Sequence, residues 1–329
     1  MMEKEPMVIV PGGINVDLTG LGVEKIIGMG ELTLGGELRI GPGGKARNMA
    51  QMAASYLGPG QVAMIGRTSQ DPYGLWKVPF RSLSEAGVNT KYIKIMSFRD
   101  AGEKYPGVAL IPVDKKGNNQ IYVLPGANGD FSPEDVDDAQ ALFEGAGKKT
   151  MIMALEIPME TAVYCLEKAS AFGLQVILDP GGISGPVDEI LDAEIFLIKP
   201  NTHEARILTG IPITDRDSAH RAAQRLLAQG VQNVLLTCGK QGGYLFSRDF
   251  SEHIPCPPVK DKGIHDETGC GDQVTAVAAS CLAEGMPLRE ASRLAIWAGT
   301  LQFHRAGIQP VSKGDLCRGK QKEAKDETK

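Results

Sequence analysis

A chain of 329 residues buries about three quarters of its extended surface on folding, so it needs neither disulfides nor a structural metal to hold together. The formal charge of -5 argues against a general nucleic-acid coat, and six cysteines without a CxxC pair, beside five histidines in no ligand spacing, argue against structural zinc. The opening MMEKEPM precedes only a short apolar run cut by Pro11-Gly12-Gly13, neither a signal peptide nor a membrane span, so a cytoplasmic protein that binds neither nucleic acid nor membrane is expected.

Residues 7–10 predict a buried first strand ending at a sharp loop, and Asn15 and Asp17 follow at once. Strand ends line the ligand crevice of an open α/β sheet, so these short polar side chains suit a hydroxylated ligand; stabilising the turn is the alternative. Residues 21–40 and 107–124 predict a small antiparallel excursion, the second piece turning at Lys115-Lys116-Gly117-Asn118. Together the regions 14–42 and 100–126 would form a lid over the crevice.

Between them, Gly43-Gly44 precedes a run in which Met49, Met52, Ala53 and Tyr56 fall at helical spacing, so the glycines form the turn before a core helix carrying Asn48 in its first turns. GPGGKARN lacks the GKS or GKT ending of a Walker A loop, and no GxGxxG follows the first strand, which argues against an NAD-dependent oxidoreductase.

Residues 62–66 predict the next strand, Asp71-Pro72-Tyr73-Gly74 opens another helix, and Ala86-Gly87-Val88 leads towards the second lid piece. Ser132-Pro133-Glu134-Asp135 has the form of a capped helix start. From Thr150 strands and helices alternate: residues 151–155 end at Glu156, 175–178 at Asp179-Pro180, 195–198 at Lys199-Pro200-Asn201, and 234–237 at Cys238-Gly239. This spacing predicts a mostly parallel sheet with helices on both faces. Glu156 suits sugar-like hydroxyls, and Asn201 with Glu204 suits a hydrated magnesium ion near phosphate, although such a residue alone is more often an ordinary cap or solvated group.

Residues 262–285, KGIHDETGCGDQVTAVAASCLAEG, read as a loop feeding a buried helix. Glycines at a helix start let backbone N–H groups converge on an anion such as phosphate. Asp272, in the first turn, is placed to take a proton from an incoming hydroxyl; a plain capped helix after a tight turn is the alternative. Residues 289–304 predict the last core helix, and residues 314–329, thick with Lys, Glu and Asp, are expected to form a disordered tail after a body of residues 1–313.

At these motifs the chain resembles the ribokinase branch of the PfkB carbohydrate kinases, from about residue 7 to residue 313. Asp266-Glu267-Thr268-Gly269-Cys270-Gly271-Asp272 is similar to the family's DTTGAGD element, and Gly43-Gly44-Lys45 with Asn48 to its GGKGAN element. GGINVD from Gly12, PGAN from Pro125, LEIP from Leu155, KPNTHEA from Lys199 and AGIQP from Ala306 resemble ribokinases in particular. The resemblance implies a ribokinase-like three-layer α/β/α sandwich with a small β-sheet lid, and ATP-dependent phosphorylation of D-ribose at its 5-hydroxyl. Other acceptors are deoxyribose, another pentose, a ketohexose or a nucleoside, and a non-catalytic sugar-binding protein is a further alternative.

By the same resemblance Asp272 is the base, and Gly269, Cys270 and Gly271 form the anion hole. Asn15, Asp17, Gly43, Gly44, Lys45, Asn48 and Glu156 surround the sugar; Asn201 and Glu204 serve Mg2+ and phosphate; Thr237, Gly239 and Gly242 line the nucleotide. A potassium loop matches Asp266 and Thr268, with carbonyls near Phe303 and Gly307, and exposed lid edges suit a homodimer. Where the family carries Gly-Ala after the lysine, this chain has Ala46-Arg47, which adds bulk and charge near the sugar-binding turn.

Overall fold

β1 (Val8–Pro11) is buried along its length, with Val8 and Val10 facing one hydrophobic core and Ile9 the other, as a strand covered on both faces requires. The computed structural model describes residues 5–144, 149–185, 187–259 and 263–318. β2 (Asn15–Val23), β3 (Glu37–Gly43), α1 (Lys45–Leu57), β4 (Val62–Gln70), α2 (Lys77–Glu85) and β5 (Asn89–Ser97) follow, then β6 (Gly107–Asp114), β7 (Tyr122–Leu124), α3 (Pro133–Asp137) and α4 (Gln140–Phe143). The second half alternates: β8 (Thr150–Ala154), α5 (Met159–Ala171), β9 (Gln175–Asp179), α6 (Asp188–Leu191), β10 (Leu197–Ile198), α7 (Thr202–Thr209), α8 (Arg216–Ala228) and β11 (Asn233–Thr237). The pair β12 (Gly243–Ser247) and β13 (Ser251–Ile254) precedes α9 (Cys270–Ala283) and α10 (Leu288–Phe303).

The central sheet has nine strands in the order β13-β12-β11-β10-β9-β8-β1-β4-β5, parallel except for the edge strands β12 and β13. Side chains of α1, α2, α9 and α10 fill the core on one face, and those of α3 to α8 the core on the other, giving three layers. Val8 of β1 lies opposite Val62 on β4 and Thr150 on β8. From β1 the chain runs through β4 to β5 at one edge, whereas β8 to β11 run towards the other. The order therefore reverses between β1 and β8, and their carboxyl ends flank the crevice where open α/β sheets bind ligands.

The lid is a second sheet, β3-β2-β6-β7, with β2 antiparallel to β3 and parallel to β6. It leaves Leu38, Ile40, Tyr122, Val123 and Leu124 exposed. Under it, α1 packs against α9. Both helices bury alanines there, Ala46, Ala50 and Ala53 on α1 and Ala276 and Ala279 on α9, and such small side chains let two backbones approach until their first turns share a site.

Some expectations change. Residues 89–97 do not lead straight to the lid but form β5, an edge strand with an irregular register near its start, in which Ile93 is buried and Lys91 exposed. The strand expected over residues 195–198 contracts to the two residues of β10. The packed body also runs past Gly314. Leu316 is buried in the core, and Asp315 accepts hydrogen bonds from Ser312 and pairs with Arg305 at 3.1 Å. The hydrophobic face of that short helical segment was hidden among charges; the rest of the expected tail, residues 319–329, lies outside the described residues. Among the described residues no helix is long and apolar enough to cross a membrane.

Candidate active site

The turn after β1 brings the backbone of Gly13 against Glu156, where an added Cβ would lie 3.0 Å from the Glu156 carbonyl. Buried Asn128 pins this turn: it accepts from Ile14 N–H at 3.0 Å and donates from Nδ2 to Ile14 O at 3.2 Å and to Asn15 Oδ1 at 2.7 Å. Asn15 thereby spends its oxygen on the scaffold and retains its own amide hydrogens for a ligand. Asp17, two residues along β2, lies over Gly43, so close that a Cβ there would fall 1.8 Å from Oδ1. Burial raises the Asp17 carboxyl to about 6, against the pull of Arg47 and with a further push from Asp272.

Gly44 holds φ at 90° to cap α1, and the carboxylate of Glu156, arriving from the end of β8, accepts from Lys45 N–H at 2.9 Å. Burial lifts Glu156 above the ordinary carboxylate range, against the hydrogen bond and charge of Lys45. The opposite end of Lys45 meets α9: Nζ donates to Asp272 Oδ1 at 3.1 Å, and Asn48 Nδ2 donates to Asp272 Oδ2 at 2.8 Å. Asp272 is only 5% exposed, so one carboxylate in the first turn of α9 receives two side chains from the first turn of α1. A carboxylate so aimed can accept a proton from a hydroxyl that reaches it.

At the start of α9, Gly269 adopts φ 71° as N-cap. The Cys270 N–H donates to Glu267 O at 3.2 Å, closing the turn, whereas the N–H groups of Gly271 and Asp272 belong to the first turn and have no acceptor within the helix. The helix-start N–H groups open to an anion therefore include those of Gly271 and Asp272. The Cys270 thiol donates to Asp266 O at 3.4 Å, and burial pushes it up to about 12, so it remains a thiol.

The residues of the predicted monovalent-ion loop do converge. Asp266 N–H donates to Phe303 O at 2.9 Å, Gly307 N–H donates to Asp266 Oδ2 at 2.7 Å, and Thr268 N–H donates to Asp266 Oδ1 at 2.8 Å. Burial pushes the Asp266 carboxyl up, but bonds from Thr268 and Gly307 outweigh it and hold the group below the usual range.

After β10, Asn201 and Glu204 form a reciprocal capping box on α7, each backbone N–H donating 2.8 Å to the other's side chain. Thr237 at the end of β11 donates from N–H to Pro200 O at 3.0 Å, which joins the two strand ends. Gly239 and Gly242 lie in the tight turn between β11 and β12, with φ 56° and 85°; a Cβ on Gly242 would meet Ile254 O at 2.1 Å. Among the described residues no group of three or more His, Cys, Asp or Glu is arranged to hold a metal. One carboxylate with amide oxygen nearby fits magnesium, which keeps most of its waters and binds chiefly through substrate phosphates.

Two site residues went unassigned in the sequence. Asp179 is fully buried at the end of β9, 2.8 Å from Lys199 Nζ and 3.5 Å from Lys45 Nζ, and also accepts from Thr275 Oγ1 and Gly181 N–H. Burial opposes its charge, but Lys199 and Lys45 hold it well below the ordinary range. Lys199 in turn donates to Gly271 O at 3.3 Å, which sets an ammonium against the first turn of α9. A charged residue closing an apolar strand, as in VILD and FLIK, was the available signal.

The chain matches the pfkB family carbohydrate kinase profile over residues 6–313. It is 31% identical over 238 residues to a deoxyribokinase of Salmonella typhi, covering 71% of this chain and 72% of that protein. With the ribokinase of Haemophilus influenzae it shares 30% over 300 residues, 91% of this chain and 93% of the other. The structure of Arabidopsis thaliana ribokinase complexed with ribose and ATP superposes with a TM-score of 0.82 at 26% identity, over 96% of this chain and 98% of that one.

Proposed function

The chain belongs to the pfkB family of carbohydrate kinases, and on that premise we propose that it transfers the γ-phosphoryl group of ATP to the 5-hydroxyl of D-ribose, giving D-ribose 5-phosphate. The observation that carries this is the meeting of Asp272 with Lys45 and Asn48, beside the amide donors of α9 and across from Asn15, Asp17 and Glu156. A polyol enters under the lid, where Asp17 and Glu156 accept from its hydroxyls and Asn15 donates. Its primary hydroxyl then displaces a partner from Asp272 and gives that carboxylate its proton as the oxygen attacks phosphorus in line with the leaving ADP oxygen.

The helix start and the ammonium groups of Lys45 and Lys199 oppose the charge on the moving phosphoryl. Magnesium neutralises phosphate charge when bound; Glu204 and Asn201 would hold it through water, and Thr237, Gly239 and Gly242 would line the nucleotide. Potassium at Asp266, Thr268, Phe303 and Gly307 would steady the loop leading into α9. The apolar lid strands would be covered by a second copy in a homodimer, and the protein would act in the cytoplasm.

Deoxyribose is the second acceptor, supported by the similarity to a deoxyribokinase. A panel of D-ribose, 2-deoxy-D-ribose, other pentoses, ketohexoses and nucleosides, assayed for ADP with MgATP and repeated with sodium replacing potassium, tests the proposal. The largest kcat/KM is expected for D-ribose in potassium; absence of ADP formation with every acceptor would overturn it.

A further inference from the structure

Arg47 replaces a small residue of the motif it belongs to, yet its side chain does not enter the crevice. It turns back into the protein and is fully buried. Nε donates to Gly43 O at 3.3 Å, Nη2 to Pro42 O at 3.0 Å and Nη1 to Ser82 Oγ on α2 at 3.2 Å; Gln51 Oε1 and Asn48 Oδ1 accept the remaining hydrogens. A guanidinium presents five donors in a rigid fork, and here the fork joins the end of β3, α2 and the first turns of α1.

We propose that Arg47 is a positioning residue for phosphoryl transfer: by occupying Asn48 Oδ1 it obliges the Asn48 amide to turn its NH2 towards Asp272. An amide has one acceptor end and one donor end. Flipped, Asn48 would set its NH2 against the guanidinium and its oxygen against the Asp272 carboxylate, two repulsive contacts in place of two bonds. With Oδ1 taken, Asn48 offers a substrate only a donor. A hydroxyl meeting it accepts there and directs its own hydrogen to a carboxylate. Arg47 also anchors Gly43, the glycine beneath the Asp17 carboxylate, and sets its positive charge near that group.

This inference deepens the kinase proposal and rests on it. The charged groups facing Asp17 are Arg47 from α1 and Asp272 from α9, while β3 and β6 set only Gly41 and Ala109 opposite it. Two variants separate orientation from charge. Arg47→Lys keeps the charge without the fork; Arg47→Met fills the space without either. With folding checked by thermal melting, both are expected to lower kcat on the best acceptor by about ten- to a hundredfold, with a smaller change in KM. The acid limb of kcat/KM should shift to higher pH in Arg47→Met but not in Arg47→Lys. Folded variants with kcat within about twofold of the parent and an unmoved acid limb would show Arg47 to be packing alone; if Arg47→Met does not fold, Arg47→Lys decides on kcat.

A readout independent of turnover is the Asn48 side-chain amide in 15N-labelled protein, identified by its loss in Asn48→Ser. Its NH2 signals should be displaced from free-amide positions in the parent and return towards them in Arg47→Lys. An unchanged spectrum would overturn the inference even if the parent phosphorylated no acceptor, so the two failures are distinguishable.

Discussion

Lys45 Nζ lies 3.1 Å from Asp272 Oδ1, although 227 positions separate the two residues. The pair joins the N-terminal turns of α1 and α9, and it fills one carboxylate oxygen while Asn48 fills the other. In the proposed reaction an arriving hydroxyl would exchange with a contact that already exists, and the Asp272 carboxylate is held in place by these two bonds.

Replacing Asp272 by Asn removes the proton acceptor while preserving shape. kcat on the best sugar should fall by about 10²–10⁴, with sugar affinity changed only a few-fold, measured by steady-state kinetics and calorimetric titration. Near-parental turnover would remove Asp272 from the role of base.

Asp17 gives a pH dependence. Its folded-state pKa is raised, from 3.8 to about 6, so it is protonated below that pH and loses its power to accept from sugar hydroxyls. kcat/KM should decline as pH falls through about 6, and Asp17→Asn should abolish that limb along with most sugar affinity. Stability runs the other way. A raised carboxylate favours the fold fully below the unfolded value and loses that contribution as pH rises through the folded one, so Asp17→Asn should melt above the parent at pH 8, by roughly 1–2 kcal/mol in unfolding free energy. A parental melting point at pH 8 would contradict the sign.

Asp179 supports two ammonium groups from complete burial. Asp179→Asn takes the buried counter-charge from Lys199 and leaves Lys45 with Asp272 as its ion-pair partner, and should lower unfolding free energy by about 3–5 kcal/mol, read from urea denaturation. Adding Lys199→Met should recover part of the loss, since the partners are coupled. Additive losses would show that the pair does not act as a unit.

Gly43 and Gly41 form an internal control. A methyl group on Gly43 would meet the Asp17 carboxylate at 1.8 Å, whereas one on Gly41 would meet nothing within 4 Å. Gly43→Ala should therefore raise the sugar KM by at least about tenfold, and Gly41→Ala should leave it within twofold. Equal effects would dissociate the lid strand from Asp17.

Much of this is legible in the sequence. Short continuous apolar runs closing at polar residues marked β1, β8, β9 and β11, and helical spacing after glycine turns marked α1 and α9. Those patterns report local backbone shape and burial, which neighbouring residues largely decide. β5 escaped because an edge strand is buried on fewer sides, and in this one Ile93 alone is buried, so no clean alternation shows. Leu316 escaped because one apolar residue among charges carries no period.

The amino-acid order alone determined the glycine turns, the helix that Asp272 opens and the strand ends that carry Asn15, Glu156 and Asn201. Only the tertiary structure decided that Lys45 reaches Asp272, that Asp179 holds both lysines and that Arg47 turns inward to grip Asn48. Which strand ends become neighbours depends on the reversal of sheet order between β1 and β8, and on how closely small residues let α1 approach α9. Both are set by packing between segments far apart in the chain, and local periodicity carries no record of it.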